Sequence, residues 1–126
     1  MKFYIANLFS QKEITTTFAD TIVSSLNWEC TASWVYGGED GLTREQIATT
    51  DLDEVAQADA VIVMSYPHGT SHRGGGRWVE LGYGLGLGKQ GFVIGHYENV
   101  FCHHPSVKVY PSLEDFILDQ QIQHTS

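Results

Sequence analysis

The 126-residue sequence is short of positive charge. Seven Lys and Arg stand against fifteen Asp and Glu, a formal net charge of −8. A duplex nucleic-acid binder needs a basic face for the phosphates, so nucleic acid is not an expected partner. Cysteine is scarce as well. Cys30 and Cys102 make no disulfide framework, which points to reduced thiols and a cytoplasmic setting. No apolar run approaches the ~20 residues that span a bilayer, so no membrane partner is expected. The start, Met1-Lys2-Phe3-Tyr4-Ile5, has too short an apolar part for a secretory leader, and no small-residue cleavage site follows. Zinc spacing is missing too. His103 and His104 are adjacent, and His68 and His72 have no cysteine nearby, so neither a metal nor a cofactor is expected. Without repeats, linkers or low-complexity tracts, residues 1–126 read as one domain.

What is present alternates between strand-like and helix-like segments. Lys2 to Ala6 is a first strand, ending at Asn7. Ser10-Gln11-Lys12-Glu13 fits a capping box before a helix with Ile14, Phe18, Ile22, Val23 and Leu26 on one face. Trp28 to Trp34 reads as a second strand, and Tyr36 to Gly41 as a glycine loop. Thr43-Arg44-Glu45-Gln46 is a second capping box. The helix it opens carries Ile47, Ala48, Leu52, Val55 and Ala58, with Asp51 on the packed side and Asp53 facing away. An inward carboxylate is notable because a buried charge is costly unless paired or neutralised. Ala60 to Met64 is a continuous apolar run, suited to a central parallel strand. Gly91 to Gly95 and Val107 to Val109 are further strands, and Ser112 caps a last helix with Leu113, Phe116 and Ile117. The expectation is an α/β fold: a single flavodoxin-like domain with a parallel five-stranded sheet, order 2-1-3-4-5, and helices on both faces. Ligands in such sheets bind beyond the carboxyl ends of the strands. That rule gathers Asn7, Trp34 to Gly38 and Ser65 to Glu80 around one crevice.

One stretch, Gly74-Gly75-Gly76-Arg77-Trp78-Val79-Glu80-Leu81-Gly82-Tyr83-Gly84-Leu85-Gly86-Leu87-Gly88-Lys89, resists assignment by pattern. Its large residues alternate with glycine as in a strand, and each interior glycine costs a helix about 1 kcal/mol relative to alanine. The run Glu80-Leu81-Gly82-Tyr83 followed by apolar residues and Gly88-Lys89 resembles the signature of the nucleoside 2-deoxyribosyltransferase-like family, which includes nucleotide N-glycoside hydrolases. Asp51-Leu52 with Val55 and Ala58-Asp59 is similar to a second family element ahead of the central strand. The likeness extends from Tyr4 to Phe116 and implies that this stretch is helical, with glycines packed close to the sheet.

The resemblance implies roles for particular residues. Glu80 matches the family nucleophile, which attacks the anomeric carbon of a (deoxy)ribosyl group. A carboxylate suits that task, because glycosidic cleavage passes through an oxocarbenium-like state that it can trap. From position alone, with Arg77 opening the helix, Glu80 would be a first-turn acid favourable to the helix dipole. Asp51 matches the family's functional acid, donating a proton to the leaving base or orienting it. Tyr4 would hold the nucleophile in place. Ala6 and Asn7 lie at the end of the first strand, where the family usually has glycine at the Asn7 position. Ser71, Arg73, Gly74, Gly75, Gly76 and Arg77 form a loop fit for a sugar or 5′-phosphate at a helix N-terminus. Gly74 departs from the aspartate or serine of some relatives. Asn99 and Phe101 match loosely an element that completes a neighbouring subunit's site, which implies a homodimer or higher homo-oligomer. Trp34, Tyr36 and Trp78 are candidates for stacking on a base.

The expected activity is cleavage of the N-glycosidic bond of a small (deoxy)nucleoside or nucleoside 5′-monophosphate, by hydrolysis or base exchange. The alternative from a different class is a non-catalytic module binding a nucleotide-derived molecule. A flavin-binding protein is a third option, but Asn7-Leu8-Phe9-Ser10 is a poor Ser/Thr phosphate loop.

Overall fold

A computed structural model of the chain describes residues 1–69 and 74–125. The expected sheet is there. β1 (Lys2–Ala6), β2 (Glu29–Cys30), β3 (Ala60–Met64), β4 (Gln90–Ile94) and β5 (Val107–Tyr110) form one parallel sheet in the order β2-β1-β3-β4-β5. Four helices complete it: α1 (Lys12–Leu26), α2 (Arg44–Gln57), α3 (Gly75–Gly86) and α4 (Leu113–Thr125). α1 packs with α4, and α2 packs with α3. Side chains alternate across a strand, and β1 uses both faces. Phe3 joins an aromatic cluster with Trp28, Phe92, Tyr110 and Phe116, whereas Tyr4 reaches Glu80 of α3. β3 is buried along its whole length, as its uninterrupted apolar run requires. No helix among the described residues is long and apolar enough to cross a membrane.

Several local expectations need correction. Ser10 does not cap α1, because Phe9–Gln11 winds as a 3-10 turn that runs into the helix, and Gln11 at the cap position makes no side-chain bond. The buried positions of α1 are Thr15, Ala19 and Ile22, with Phe18 and Leu26 packed beside them and Ile14 and Val23 exposed. The segment from Trp28 to Trp34 pairs only at Glu29–Cys30 and then turns into a second 3-10 segment, Ser33–Tyr36. The Trp34 indole N–H donates to the Ile5 carbonyl at 3.0 Å, which draws the chain in over the end of β1. The Thr43 capping box forms in full. Ala48 is exposed, while Val55 and Ala58 carry the contact of α2 with the core.

α3 starts at Gly75, two residues before Arg77, so Glu80 is in the second turn and is not a first-turn acid. The glycines of α3 serve different ends. A Cβ on Gly84 would lie 2.6 Å from Val61 Cγ2, so this glycine lets α3 sit down on β3, whereas Gly82 and Gly86 face open space.

Candidate active site

Four chain segments converge at the carboxyl end of the sheet. Tyr4 comes from β1, Glu39 from the turn after Ser33–Tyr36, Asp51 from α2 and Glu80 from α3. All four line one cleft of about 830 Å3, within the usual range for a small-molecule site. Asn7, Leu8, Phe9, Trp34, Asp40, Arg44, Ile47, Gly74, Gly76 and Arg77 are also on its wall.

The Tyr4 hydroxyl donates a hydrogen bond to Glu80 Oε2. Burial raises the Glu80 carboxyl from its ordinary 4.5 to about 7, helped by the charges of Asp51 and Glu54, while the Tyr4 hydrogen bond pulls the other way. Burial and the facing Glu80 charge push Tyr4 well above the ordinary phenol range, so its hydroxyl stays a donor. The result is a carboxylate clamped on one oxygen and close to half ionised at neutral pH.

Arg77 lies differently from a free phosphate ligand. Its guanidinium is buried and grips Glu98 with two bonds, Nη1 to Oε1 at 3.0 Å and Nη2 to Oε2 at 2.8 Å. It also donates to the Met64 carbonyl at 2.7 Å and the Gly74 carbonyl at 3.1 Å. Glu98 in turn accepts the Tyr66 N–H at 2.7 Å. Burial opposes its ionisation, but the bonds from Arg77 and Tyr66 and the Arg77 charge hold Glu98 below the usual carboxylate range. Arg77 therefore ties the start of α3 to the ends of β3 and β4. Arg44, at the cleft mouth, forms no ion pair among the described residues.

The glycine loop has a steric cause at Gly74. Its φ is +79°, and a Cβ there would meet Leu8 Cδ2 at 2.2 Å and Arg77 Nε at 2.9 Å. A side chain there is strained by that φ and has to displace the end of Leu8, which disfavours the aspartate or serine of the family pattern. Gly74 makes no side-chain cap on α3, and the Arg77 N–H of the first turn donates back to the Gly74 carbonyl at 3.2 Å.

Asn7 is held from three sides: Nδ2 donates to Thr15 Oγ1 at 2.9 Å, and Oδ1 accepts from the Leu8 N–H and the Tyr66 hydroxyl, each at 2.7 Å. Ala6 is buried just beneath, at the end of β1. Phe9 is 71% exposed, and its ring is 6.2 Å from that of Trp34, so the pair forms an aromatic wall. Gly75 is exposed at the start of α3, apart from the cleft lining. Ser71 and Arg73 lie outside the described residues. Asn99 and Phe101 are not on this cleft; Asn99 Oδ1 accepts the Phe101 N–H at 3.0 Å to cap a 3-10 turn, and the Phe101 ring is exposed. Tyr36 points to Asp20, and Trp78 stacks near the Arg77 guanidinium.

Sequence reasoning missed Glu39, Phe9 and Arg44. Glu39 sat in a stretch assigned to loop on glycine content alone. The one available signal was its place just past the second strand, at the same sheet edge as the crevice.

No protein-family model and no curated protein matches the sequence. Among solved structures, the CMP N-glycosidase BcmB of Clostridium botulinum superposes with a TM-score of 0.66, over 97% of this chain and 99% of that one, at 15% identity. The two share a fold. The family likeness drawn from residues 80–89 and 51–59 therefore holds at the level of fold, and the CMP N-glycosidase matches this chain almost end to end.

Proposed function

We propose that this chain cleaves the N-glycosidic bond of a small nucleoside 5′-monophosphate or nucleoside, with Glu80 attacking C1′ and either water or a second base completing the reaction. The observation that carries this is the Tyr4–Glu80 hydrogen bond inside a cleft whose other wall presents Asp51. A nucleophilic carboxylate must be ionised and aimed, and Tyr4 favours both. Asp51 orients or protonates the leaving base, and the Phe9–Trp34 wall offers it a ring face. The N-terminus of α3, at Gly74 to Gly76, suits a 5′-phosphate, and Arg44 adds a cation to the cleft lining. The name of the structural neighbour, a CMP N-glycosidase, favours the nucleotide over the nucleoside. Arg77 serves this site through the helix it braces.

The working unit is a homodimer or higher homo-oligomer with shared sites. Exposed Val79, Tyr83 and Leu87 recur every four residues along α3, and exposed Val100 and Phe101 add apolar surface to be covered. Light scattering gives the oligomeric state directly.

The test is incubation with a panel of nucleosides and nucleoside 5′-monophosphates, with and without an acceptor base, followed by chromatography of the bases. Free base under both conditions means hydrolysis. A new nucleoside formed only with acceptor means exchange. Absence of product from every substrate rejects the proposal.

A further inference from the structure

Glu39 lines the cleft, and no donor among the described residues meets its Oε2. One oxygen each from Glu39, Asp51 and Glu54 lie within 4.8 Å of one another. Glu54 is provided for, since its Oε1 accepts the Ser33 N–H at 3.1 Å. Glu39 Oε2 and Asp51 Oδ1 are closed off from solvent and have no hydrogen-bond partner among the described residues. An ionised carboxylate can only accept hydrogen bonds. Carboxylates gathered this closely repel unless one of them carries a proton and donates it to a neighbour. The remaining charged and titratable groups around Glu39 are Glu80 of α3, Tyr4 of β1, the adjacent Asp40, Arg44 of α2, and Lys12 of α1, whose Nζ approaches Gly37. Neither cation forms an ion pair with Glu39 among the described residues.

Resting on the N-glycoside activity proposed above, we propose that Glu39 and Asp51 hold one proton between Oε2 and Oδ1, and that the departing base receives it. Glu39 is then a positioning residue that keeps Asp51 supplied. Burial first, then the hydrogen bond and charge of Asp51, with the charges of Glu54 and Glu80, lift Glu39 to about 8. The proton is thus in place at neutral pH, and an acid that titrates near working pH transfers protons efficiently.

The atoms balance. Glu80 bonds to C1′ as the C1′–N bond breaks, and the nitrogen's electron pair takes the shared proton. Water then attacks C1′, the ester bond returns its pair to Glu80, and the proton shed by the water reloads Glu39 and Asp51. In base exchange, the N–H proton of the incoming base reloads them instead.

The experiment compares the nucleotide hydrolysed fastest in the panel with a nitrophenyl riboside 5′-phosphate, whose phenolate leaves without a proton. Glu39→Gln should lower kcat on the nucleotide by about 100-fold or more. It should leave the nitrophenyl substrate within a few-fold of the parent and remove the alkaline limb near pH 8. In parallel, carbon-13 NMR should find the Glu39 carboxyl titrating near pH 8 in the parent and falling toward the ordinary range in Asp51→Asn. Equal losses on both substrates, no loss on the nucleotide, or an ordinary Glu39 titration overturns the inference. So does Mg2+ or Ca2+ binding that depends on Glu39, which would put a cation where the proton belongs. If the parent cleaves neither substrate, the N-glycoside activity itself falls.

Discussion

Glu80→Gln should cost the protein its chemistry and make it more stable. Glu80 titrates near 7 in the fold against an ordinary 4.5, a difference of about 2.5 units. At 1.36 kcal/mol per unit this amounts to about 3 kcal/mol that the fold loses when the group ionises. The sign follows from proton counts. Below pH 4.5 both states hold the proton and nothing is lost. Between 4.5 and about 7 the unfolded chain ionises first, so stability falls as pH rises, and above 7 the full cost remains. Glutamine mimics the protonated group and keeps an oxygen for the Tyr4 hydroxyl. The variant should therefore match the parent near pH 4.5 and exceed it at pH 8. Part of the gain is given back through relaxation around the amide, which leaves about 1–3 kcal/mol, or a Tm rise of roughly 4–10 °C at this chain length. Turnover should drop on the order of 10⁴-fold or more, as when other nucleophiles are removed. Thermal or urea unfolding at the two pH values, run beside the nucleotide assay, checks both halves. A variant no more stable than the parent at pH 8 refutes the electrostatic account of the site. Turnover within a few-fold of the parent refutes the nucleophile.

Tyr4→Phe removes the one hydrogen bond that favours ionised Glu80. A charge-assisted bond of about 1.5–3 kcal/mol corresponds to an acid limb of kcat/KM moved up by about 1–2 pH units; an unmoved limb contradicts the clamp. Glu98→Ala strands the buried Arg77 guanidinium, whose side chain is 1% exposed, and should cost about 3–5 kcal/mol in urea unfolding. Equal impairment of nucleoside and nucleotide is the outcome expected of a brace on α3; a loss confined to the nucleotide returns Arg77 to the phosphate. Gly84→Ala should destabilise by about 1–3 kcal/mol, since its Cβ would press on Val61. Gly82→Ala, with open space before it, should stabilise by up to about 1 kcal/mol. Thermal melts of the pair should shift in opposite directions.

Most of the sheet was legible because its signals are local and repeated. The apolar run Ala60–Met64 states its double-sided burial outright, and Thr43 with Gln46 marks a helix start by chemistry alone. Three things were not legible, each set by contacts distant in sequence. Trp28 to Trp34 carries a strand's residues but bends away, because the Trp34 indole finds the Ile5 carbonyl 29 residues back. The alternation of Leu and Gly in α3 mimics a strand, and only Val61 beneath Gly84 explains one of those glycines. Arg77 looked like a phosphate ligand because it follows a glycine run; Glu98, 21 residues further on, claims it. The Asp51 and Glu80 positions were visible through the family-like motifs. Glu39 belongs to no motif, and only the folded cleft reveals that its Oε2 has no donor among the described residues.

The charges of the cleft pose a problem that the geometry also resolves. Glu39, Asp40, Asp51 and Glu80 line a site proposed for a phosphate-bearing substrate, with Arg44 the one cation among its described lining residues beyond Glu98's partner. Seating a phosphate dianion nearby lifts the Glu80 carboxyl further, yet the attack on C1′ requires it ionised. Of the interactions that set Glu80, burial, Asp51 and Glu54 all favour the neutral acid, and Tyr4 alone favours the anion. The same pressure works to advantage on Glu39, where a proton must be kept until the base departs. The proposed acid and the proposed nucleophile can thus share one cleft at a single pH, because a phenol hydroxyl meets one carboxylate and no donor among the described residues meets the other.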